Sequence, residues 1–497
     1  MDLITLRPLR RTLVTAVIGC FLSVAASATD YHVGPGQAAT SIGEVPWATL
    51  QAGDRVLIHW RATPYAEKWV INRRGTATQP IVIRGLPGPN GEQPVIDGNG
   101  AVTASGLNFW NEVRGVIKIG GSNTPPDGLP GHLVIEGLEI RSGRPPFTFT
   151  DDGGSSQTYS SNAAAIYVEK AEHLTIRDCV LHDSGNGLFI GAFGGQTQNV
   201  LITGNHLYDN GIVGSIFEHN SYTEALGITY QENRFGPLRS GAGGNNLKDR
   251  SAGLVVRYNW IEGGNRQLDL VESGSSTLIN DPRYRETFVY GNVLIEPDGA
   301  GNSQVVHYGG DSGTLANYRQ GDLYFFHNTV VSTRSGNTTL LRLSSAAENA
   351  DVRQNILFTT ATGSRLAMLN GDGTLSLSRN WTKPGFVENH SSGGGVVIDD
   401  NTGITGSDPG FLDLGSQDFG LLSGSGSEDA GAALPAAVMP DHLPVRHYRK
   451  HQGSTPRPVD DPLDLGAFEV CGPGDCSEIF GDGFESGSTG AWSTVLP

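Results

Sequence analysis

One short pattern occurs nine times in this chain: an apolar residue, two spacers, a turn residue, one spacer and another apolar residue. Seven of the nine turn residues are asparagine, at intervals of 25 to 36 residues. They are Asn205, Asn233, Asn259, Asn292, Asn328, Asn355 and Asn380. A repeat of this length with one apolar face indicates a solenoid, because a single unit cannot bury that face whereas stacked units can.

Asparagine suits the bend between two strands for two reasons. It tolerates a left-handed backbone, and its amide can bond to the amide of the next coil. We therefore expect an asparagine ladder inside an all-β, single-stranded, right-handed parallel β-helix. Leu138 and Cys179 occupy the same place in two earlier patterns, so the ladder should end there in a small apolar stack. The 69 glycines suit an architecture of short strands and many bends.

The first residues have the features of a removable leader. Arg7, Arg10 and Arg11 precede an apolar run, and Ala26-Ser27-Ala28 is a small-residue cleavage site. This predicts a secreted protein, extracellular, periplasmic or on the cell surface. A lipoprotein signal ending at Cys20 is the weaker alternative.

Cys471 and Cys476 could close a disulfide loop in an oxidising compartment. The predicted organisation of the chain has five parts. The parts are a signal peptide (1–28), an N-terminal cap with the first coils (29–100), the parallel β-helix (101–400), a C-terminal capping module (401–470), and a disulfide loop with a flexible tail (471–497).

Two segments resemble known secreted proteins. Residues 30–100, with an AGD turn and the strand PIVIRG, resemble the opening coils of the pectate-lyase-like superfamily. Residues 405–470, with SEDAG and DPLDLGAFE, are similar to a "GSPAIDAG…DIGAFE" module of bacterial surface and secreted β-helix proteins. The second resemblance implies a terminal cap for the solenoid.

The net charge of the chain limits the kinds of molecule that it can bind. The formal net charge of −17 disfavours nucleic acid and anionic membranes. Outside the leader no stretch is long and apolar enough to span a membrane, and we expect a monomer. An acidic polysaccharide would have to be held by a local basic patch or by bound cations.

The densest polar cluster lies at residues 244–272, GNNLKDRSAGLVVRYNWIEGGNRQLDLVE. Since side chains alternate across a strand, inward Leu247 puts Lys248 outward, and inward Leu268 and Leu270 put Asp269 outward. The same rule puts Arg342 outward. These side chains should therefore stack along one sheet.

LKDRSAGLVVRYN resembles the catalytic coil of β-helix polysaccharide lyases of the alginate and chondroitin-B lyase type. The resemblance implies β-elimination from a uronic-acid polymer with Lys248 as the base and Asn259 as the ladder turn. In the next coil the family's arginine is replaced by Val271, so Arg266 or Arg250 would have to serve instead. His307 is a candidate for the acid that protonates the leaving oxygen.

The reaction requires a neutralised carboxylate next to the proton that is removed. Arginine can supply that charge, or Asp269 and Glu272 could hold Ca²⁺, which prefers carboxylate oxygens. Further outward or aromatic side chains predict substrate contacts. They are Asn246, Glu218, His219, Tyr308, Arg342 and Trp260.

Two other functions stay open on the sequence. A glycoside hydrolase on the same fold would pair carboxylates such as Asp269 and Glu272 about the scissile bond. A non-catalytic glycan-binding or adhesin-like surface protein would need neither base nor acid.

Overall fold

The chain winds through three long parallel sheets, and in most coils it contributes one strand to each. The computed structural model describes residues 28–391, 393–458 and 462–470. The predicted leader apart from Ala28, and the predicted disulfide of Cys471 and Cys476, lie outside these ranges. Across the described residues, no helix has the length and apolar character needed to cross a membrane.

Sheets A and B meet at the ladder corner, and all neighbouring strands within each are parallel. Sheet A has thirteen strands: Asp30–Val33, Arg55–His59, Ile81–Leu86, Gly131–Glu136, Glu172–Arg177, Gln198–Thr203, Leu226–Gln231, Ala252–Arg257, Glu286–Tyr290, Asp322–Phe326, Asn349–Arg353, Thr374–Ser378 and Val396–Asp399. Sheet B has eleven strands: Val95–Asp97, Glu139–Arg141, Val180–Leu181, His206–Leu207, Arg234–Phe235, Trp260–Glu262, Val293–Glu296, Thr329–Ser332, Ile356–Thr359, Trp381–Thr382 and Ile404–Thr405.

Sheet C carries the polar cluster, and its strands are parallel except the edge strand Ser156–Thr158. Its thirteen strands, in spatial order, are Ser156–Thr158, Thr148–Thr150, Ala101–Thr103, Glu67–Ile71, Gly115–Ile119, Ala164–Val168, Asn186–Ile190, Ser221–Thr223, Leu247–Asp249, Leu268–Leu270, Gln304–Tyr308, Thr338–Leu343 and Leu366–Gly371.

The remaining elements are short. Three antiparallel pairs join Asn108–Phe109 to Ser122–Thr124, Phe411–Asp413 to Asp418–Leu421, and Arg446–Tyr448 to Ser454–Pro456. Within the described ranges the helical elements are the α-helix Ser276–Ile279 and the 3₁₀ turns Ile42–Glu44, Glu112–Arg114, Phe193–Gly195, Pro282–Arg285, Leu315–Asn317 and Gly363–Arg365.

The asparagine ladder is continuous through all seven predicted residues. The backbone N–H and the Nδ2 of each asparagine both donate to the Oδ1 of the next, at 2.8–3.1 Å. Cys179 N–H donates to Asn205 Oδ1 at 3.0 Å, and Leu138 and Cys179 are buried in the core. The predicted apolar end of the ladder is therefore confirmed.

The expected backbone conformation of the ladder was wrong by one residue. The left-handed position is the residue before each asparagine, with φ between 49° and 65°, as at Gly204, Glu232 and Tyr258. The asparagine itself is not left-handed, because its N–H must point along the stack to the next amide. The bend and the ladder bond are thus made by adjacent residues.

A second column of amides, which the sequence did not reveal, joins sheet B to sheet C. Asn210 Nδ2 donates to Asn220 Oδ1, and Asn220 Nδ2 donates to Asn246 Oδ1 at 2.5 Å. Asn246 Nδ2 then donates to the carbonyls of Glu262 and Gly263. All three asparagines are fully buried, so they fix the approach of each coil to sheet C.

The C-terminal segment lies along the flank of the solenoid. On sheet B, Ile261 and Leu294 face the interior core, while Trp260 and Val293 face outward into a cluster with Phe419 and other residues of 411–467. Gln452 Nε2 reaches back to the carbonyl of Gly204 at 2.9 Å. The expected end cap is therefore corrected to a lateral cover of sheet B. It removes the outward apolar side chains from water.

Truncating a ladder amide tests whether these bonds hold the coils together. Asn259→Ala should lower the free energy of unfolding by about 3 kcal/mol, because it leaves buried N–H groups and carbonyls without partners. Chemical denaturation followed by circular dichroism measures the change. The control is Asn337→Ala at an exposed asparagine. An equal effect of the two substitutions would contradict the structural role of the ladder.

Candidate functional site

The candidate site is a groove whose floor is the outer face of sheet C. Register places one outward side chain of each successive strand in a row, which is Tyr222, Lys248, Asp269, His307 and Arg342. The predicted outward directions of Lys248, Asp269 and Arg342 agree with this row. Strand spacing of about 4.8 Å brings such neighbours within contact distance.

The groove encloses about 570 Å³ and combines basic, acidic and apolar groups. Ile216 and Phe217 form part of its rim and are 62% and 73% exposed. Arg114 and Asn162 also line it. The other lining residues are Asn186, Phe189, Glu218, His219, Tyr222, Asn245, Lys248, Arg250, Asn265, Arg266, Asp269 and Asp311.

Lys248 is held by two carboxylates. Its Nζ donates to Asp269 Oδ2 at 2.6 Å and to Asp311 Oδ2 at 2.9 Å, and the residue is 7% exposed. Two carboxylates this close favour the positively charged ammonium group over the free amine, which alone has a lone pair to accept a proton. In this arrangement Lys248 is a fixed positive charge at the floor of the groove.

Asp269 is the centre of the polar network. Besides Lys248 it accepts from Asn245 Nδ2 at 2.9 Å and from His307 Nδ1 at 2.8 Å. Burial opposes ionisation, but the hydrogen bond from His307 and the charge of Lys248 outweigh it and lower the pKa of Asp269. Asp269 therefore stays ionised throughout the neutral range and orients the groups around it.

His307 lies beside Asp269 on the next strand, and it is buried and not among the residues that line the groove. Burial lowers the pKa of His307, although the hydrogen bond to Asp269 opposes that shift. Its Nε2 lies 2.8 Å from Ser344 Oγ, which in turn accepts from Gly310 N–H. His307, the expected catalytic acid, thus connects Asp269 through Ser344 to the loop that begins at Gly309.

His219 faces the groove in a defined tautomer. Its Nδ1 accepts from Asn245 N–H at 2.8 Å, which leaves the ring proton on Nε2. Burial lowers the pKa of His219 to about 3, and the charge of Lys248 acts in the same direction. The ring is therefore a neutral hydrogen-bond donor at neutral pH.

Asp311 enters the groove from a loop whose backbone is firmly held. Glu272 accepts the N–H groups of Asp311 and Ser312 at 2.9 and 2.6 Å. The base of the loop is tied by the buried ion pair of Arg319 with Asp249. The side chain of Asp311 is 42% exposed, so it can rotate while the loop stays in place.

The carboxylates of Asp269 and Glu272, which the sequence suggested as calcium ligands, accept hydrogen bonds from neighbouring protein groups. The oxygens of Asp269 accept from Lys248, Asn245 and His307, and those of Glu272 accept two backbone N–H groups. A calcium ion needs carboxylate oxygens that converge on it. These donors already occupy the oxygens that would have to turn toward the ion.

The structure gathers part of the predicted set in the groove. Lys248, Arg250, Arg266, Asp269, Glu218 and His219 line it. Arg342 lies further along the same row and donates to Asn370.

Three predicted substrate contacts are corrected, because they lie in packed regions. Asn246 is part of the buried amide column. Tyr308 faces the core. Trp260 stacks on Phe419 beneath the C-terminal segment. An outward direction alone does not distinguish a groove from a surface that another segment covers.

Tyr222 was not among the site residues predicted from the sequence. It lies in the strand Ser221–Thr223. Tyr222 pairs with Lys248 in the next strand, and its Oη accepts from Arg250 Nε at 2.9 Å. Arg114 had no sequence signal, since a distant coil brings it to the groove.

Comparison with known proteins supports the fold. The family model described as "Right handed beta helix region" matches residues 95–307. The fold is a right-handed parallel β-helix. No curated protein sequence matches the chain.

Solved structures similar to the chain include enzymes that act on polysaccharides and other glycans. An alginate lyase from Paenibacillus sp. str. FPU-7 is 13% identical over 71% of this chain and 91% of its own, with a TM-score of 0.42. Pectate lyase Pel9A is 13% identical over 90% and 97%, with a TM-score of 0.46. A GH136 lacto-N-biosidase from Eubacterium ramulus is 14% identical over 76% and 68%, with a TM-score of 0.45.

The network around Asp269 predicts a pH-dependent contribution to stability. Asp269→Asn should cost about 3 kcal/mol at pH 7, because it leaves buried Lys248 and His307 poorly paired. The pKa of Asp269 is lower in the folded state, so its contribution is present above about pH 4 and is lost as the pH falls further. Urea unfolding of wild type and variant at pH 7 and pH 3.5 measures this. A difference independent of pH would contradict the assignment.

Proposed function

We propose that the chain is a polysaccharide lyase that cleaves a uronic-acid-containing polymer by β-elimination in the sheet C groove. The observation that carries the proposal is the way the groove already holds a carboxylate. The carboxylate of Asp311 lies 2.9 Å from Lys248 Nζ and 3.5 Å from Arg250 Nη2. A uronate carboxylate is the same chemical group and would be held by the same two cations.

Local charge supports an anionic substrate. The groove is lined by four cationic side chains, Arg114, Lys248, Arg250 and Arg266, against three acidic ones, Glu218, Asp269 and Asp311, in a chain whose formal net charge is −17. Cations concentrated in a cleft attract a polyanion despite the overall repulsion. The rim residue Phe217 offers an exposed aromatic face for a sugar ring.

The contacts favour Lys248 as the cation that neutralises the uronate rather than as the base suggested by the sequence pattern. A neutralised carboxylate stabilises the negative charge that develops when the adjacent proton leaves. The base we propose is the Tyr222 oxygen, because Tyr222 lies beside Lys248 in the row and Arg250 Nε holds this oxygen in place by a hydrogen bond. The proton that Tyr222 takes would be returned to the leaving glycosidic oxygen as its bond to the sugar carbon breaks. His219 Nε2 would donate a hydrogen bond to a sugar oxygen.

A glycoside hydrolase is less well supported by this geometry. Its acid is a carboxyl that stays protonated near neutral pH. Burial alone would raise the pKa of both Asp269 and Asp311, but His307 and Lys248 lower that of Asp269, and Lys248 and Arg250 lower that of Asp311. We also propose that the protein is secreted, on the strength of the leader at residues 1–28, since a polymeric substrate is met outside the cell.

A substrate panel tests the proposal. The protein is incubated with alginate, pectate, hyaluronan, chondroitin and glucuronan, and both ultraviolet absorbance and reducing ends are recorded. A lyase gives an unsaturated product that absorbs, and we expect this for at least one polymer. Reducing ends without absorbance would indicate a hydrolase, and glycan binding without either product would indicate a non-catalytic binding protein. Both results would contradict the lyase assignment.

Substitutions at Lys248 separate a cation from a base. Lys248→Ala should lower kcat/KM by about 100-fold, because the uronate loses its counter-charge. Lys248→Arg should recover at least about tenfold of that loss, since arginine keeps the charge but cannot act as a base. Tyr222→Phe should lower kcat by about 1,000-fold. If the arginine variant is as inactive as the alanine variant while Tyr222→Phe stays active, Lys248 is the base.

Asp311→Asn tests whether this carboxylate occupies the substrate's place. The variant removes a competing negative charge and keeps the shape of the side chain. KM for the acidic polymer should fall severalfold with little change in kcat. The control is Asp372→Asn, which replaces an acidic residue on another loop and should leave both KM and kcat unchanged. A rise in KM for Asp311→Asn would show that Asp311 assists binding instead.

A further inference from the structure

Sheet A carries a second feature, a column of left-handed residues near the start of successive strands. The column runs through His132, His173, Asn199, Gly227 and Gly253, with φ between 49° and 82°. Strand register places them side by side, because the residues on either side of each pair in parallel. Glycine, asparagine and histidine all tolerate this conformation, and the column places the two histidines on adjacent strands.

The two imidazoles stack on each other. Their ring centroids are 4.4 Å apart, and the ring planes are nearly parallel, with an angle of 5° between them. Within the described part of the chain neither ring makes a hydrogen bond to the protein. The rings therefore present nitrogen atoms that structural bonding does not use.

Glu172 completes a set of three. It precedes His173 in the chain, and one ligand atom from each of His132, Glu172 and His173 lies within 4.8 Å of the others. Two histidines and one carboxylate are a common ligand set of Zn²⁺ and related ions. In the parallel stack the lone pairs of the two rings do not converge on one point, so binding requires the exposed ring of His173 to rotate out of the stack toward Glu172.

The surroundings can orient the carboxylate. Gln198 Nε2 donates to Glu172 Oε2 at 3.2 Å, and Arg74 forms an ion pair with Glu172. The Gln198 bond fixes the direction of the carboxylate, whereas Arg74 competes with a cation for its other oxygen. The Arg74 side chain is 47% exposed, so it can move away when a cation takes its place.

We propose that His132, Glu172 and His173 form a site for a divalent transition-metal ion of the Zn²⁺ class that joins two successive coils of sheet A. The site lies on a different sheet from the groove and does not depend on the proposed lyase activity. An ion bound there would link residues 40 positions apart in sequence and stabilise the folded chain by mass action.

The test uses the full chain without an affinity tag, titrated with ZnCl₂ by calorimetry in a non-chelating buffer. The variant is His132→Asn/His173→Asn, because asparagine accepts the left-handed backbone and already occupies the column at Asn199. A second variant, Glu172→Gln, removes the carboxylate charge. The matched control is His206→Asn. The ring of His206 stacks on Tyr208 at sheet B, away from the proposed metal site.

We expect one Zn²⁺ to bind per wild-type chain and per control chain. Each test variant should lower the affinity for Zn²⁺ at least about tenfold. Zn²⁺ should raise the thermal midpoint of the wild type, and Ca²⁺ should not. The proposal would be overturned by equal Zn²⁺ affinity in wild type and double variant, by a stronger response to Ca²⁺, or by no binding at millimolar Zn²⁺. Circular dichroism of each variant establishes that the fold is intact.

Discussion

The bond between one ladder asparagine and the next is the interaction on which the rest of the structure depends. Each Oδ1 accepts two N–H groups of the preceding asparagine, which fixes the rise and the angular position of every coil at one corner. Because a strand begins directly after each asparagine, a fixed corner fixes the register of sheet B. The buried amide column through Asn220 and Asn246 then carries that register to sheet C. Without common register, Tyr222, Lys248 and Asp269 would not lie in one row.

The same stacking explains why the site can be built from a sheet. Adjacent strands place like positions close together, so charges of opposite sign on successive coils meet without long loops. Lys248 lies between Asp269, one strand away, and Asp311, which a tethered loop brings back over the groove. Burial strengthens these ion pairs, and it also makes any unpaired member costly. The groove is therefore preorganised for a carboxylate.

Much of this architecture could be predicted from the sequence, because repetition and alternation are local signals. The asparagine spacing gave the coils, and the leucines flanking Lys248 and Asp269 gave the outward direction of both. Contacts between segments that are distant in the sequence were not predictable. The cover that buries Trp260 comes from residues about 160 positions later, and Asp311 and Arg114 reach the groove through loops whose paths carry no periodic signal. The role of Lys248 depended on its two partners, which only the assembled coils define.

The central claim is that the groove acts on its substrate through the substrate's carboxylate. It is tested most directly by comparing turnover of a cleaved acidic polymer with turnover of the same polymer after its uronates have been reduced to neutral sugars. The account predicts ultraviolet-absorbing product from the acidic polymer and no cleavage of the reduced one. Equal cleavage of both polymers would contradict it.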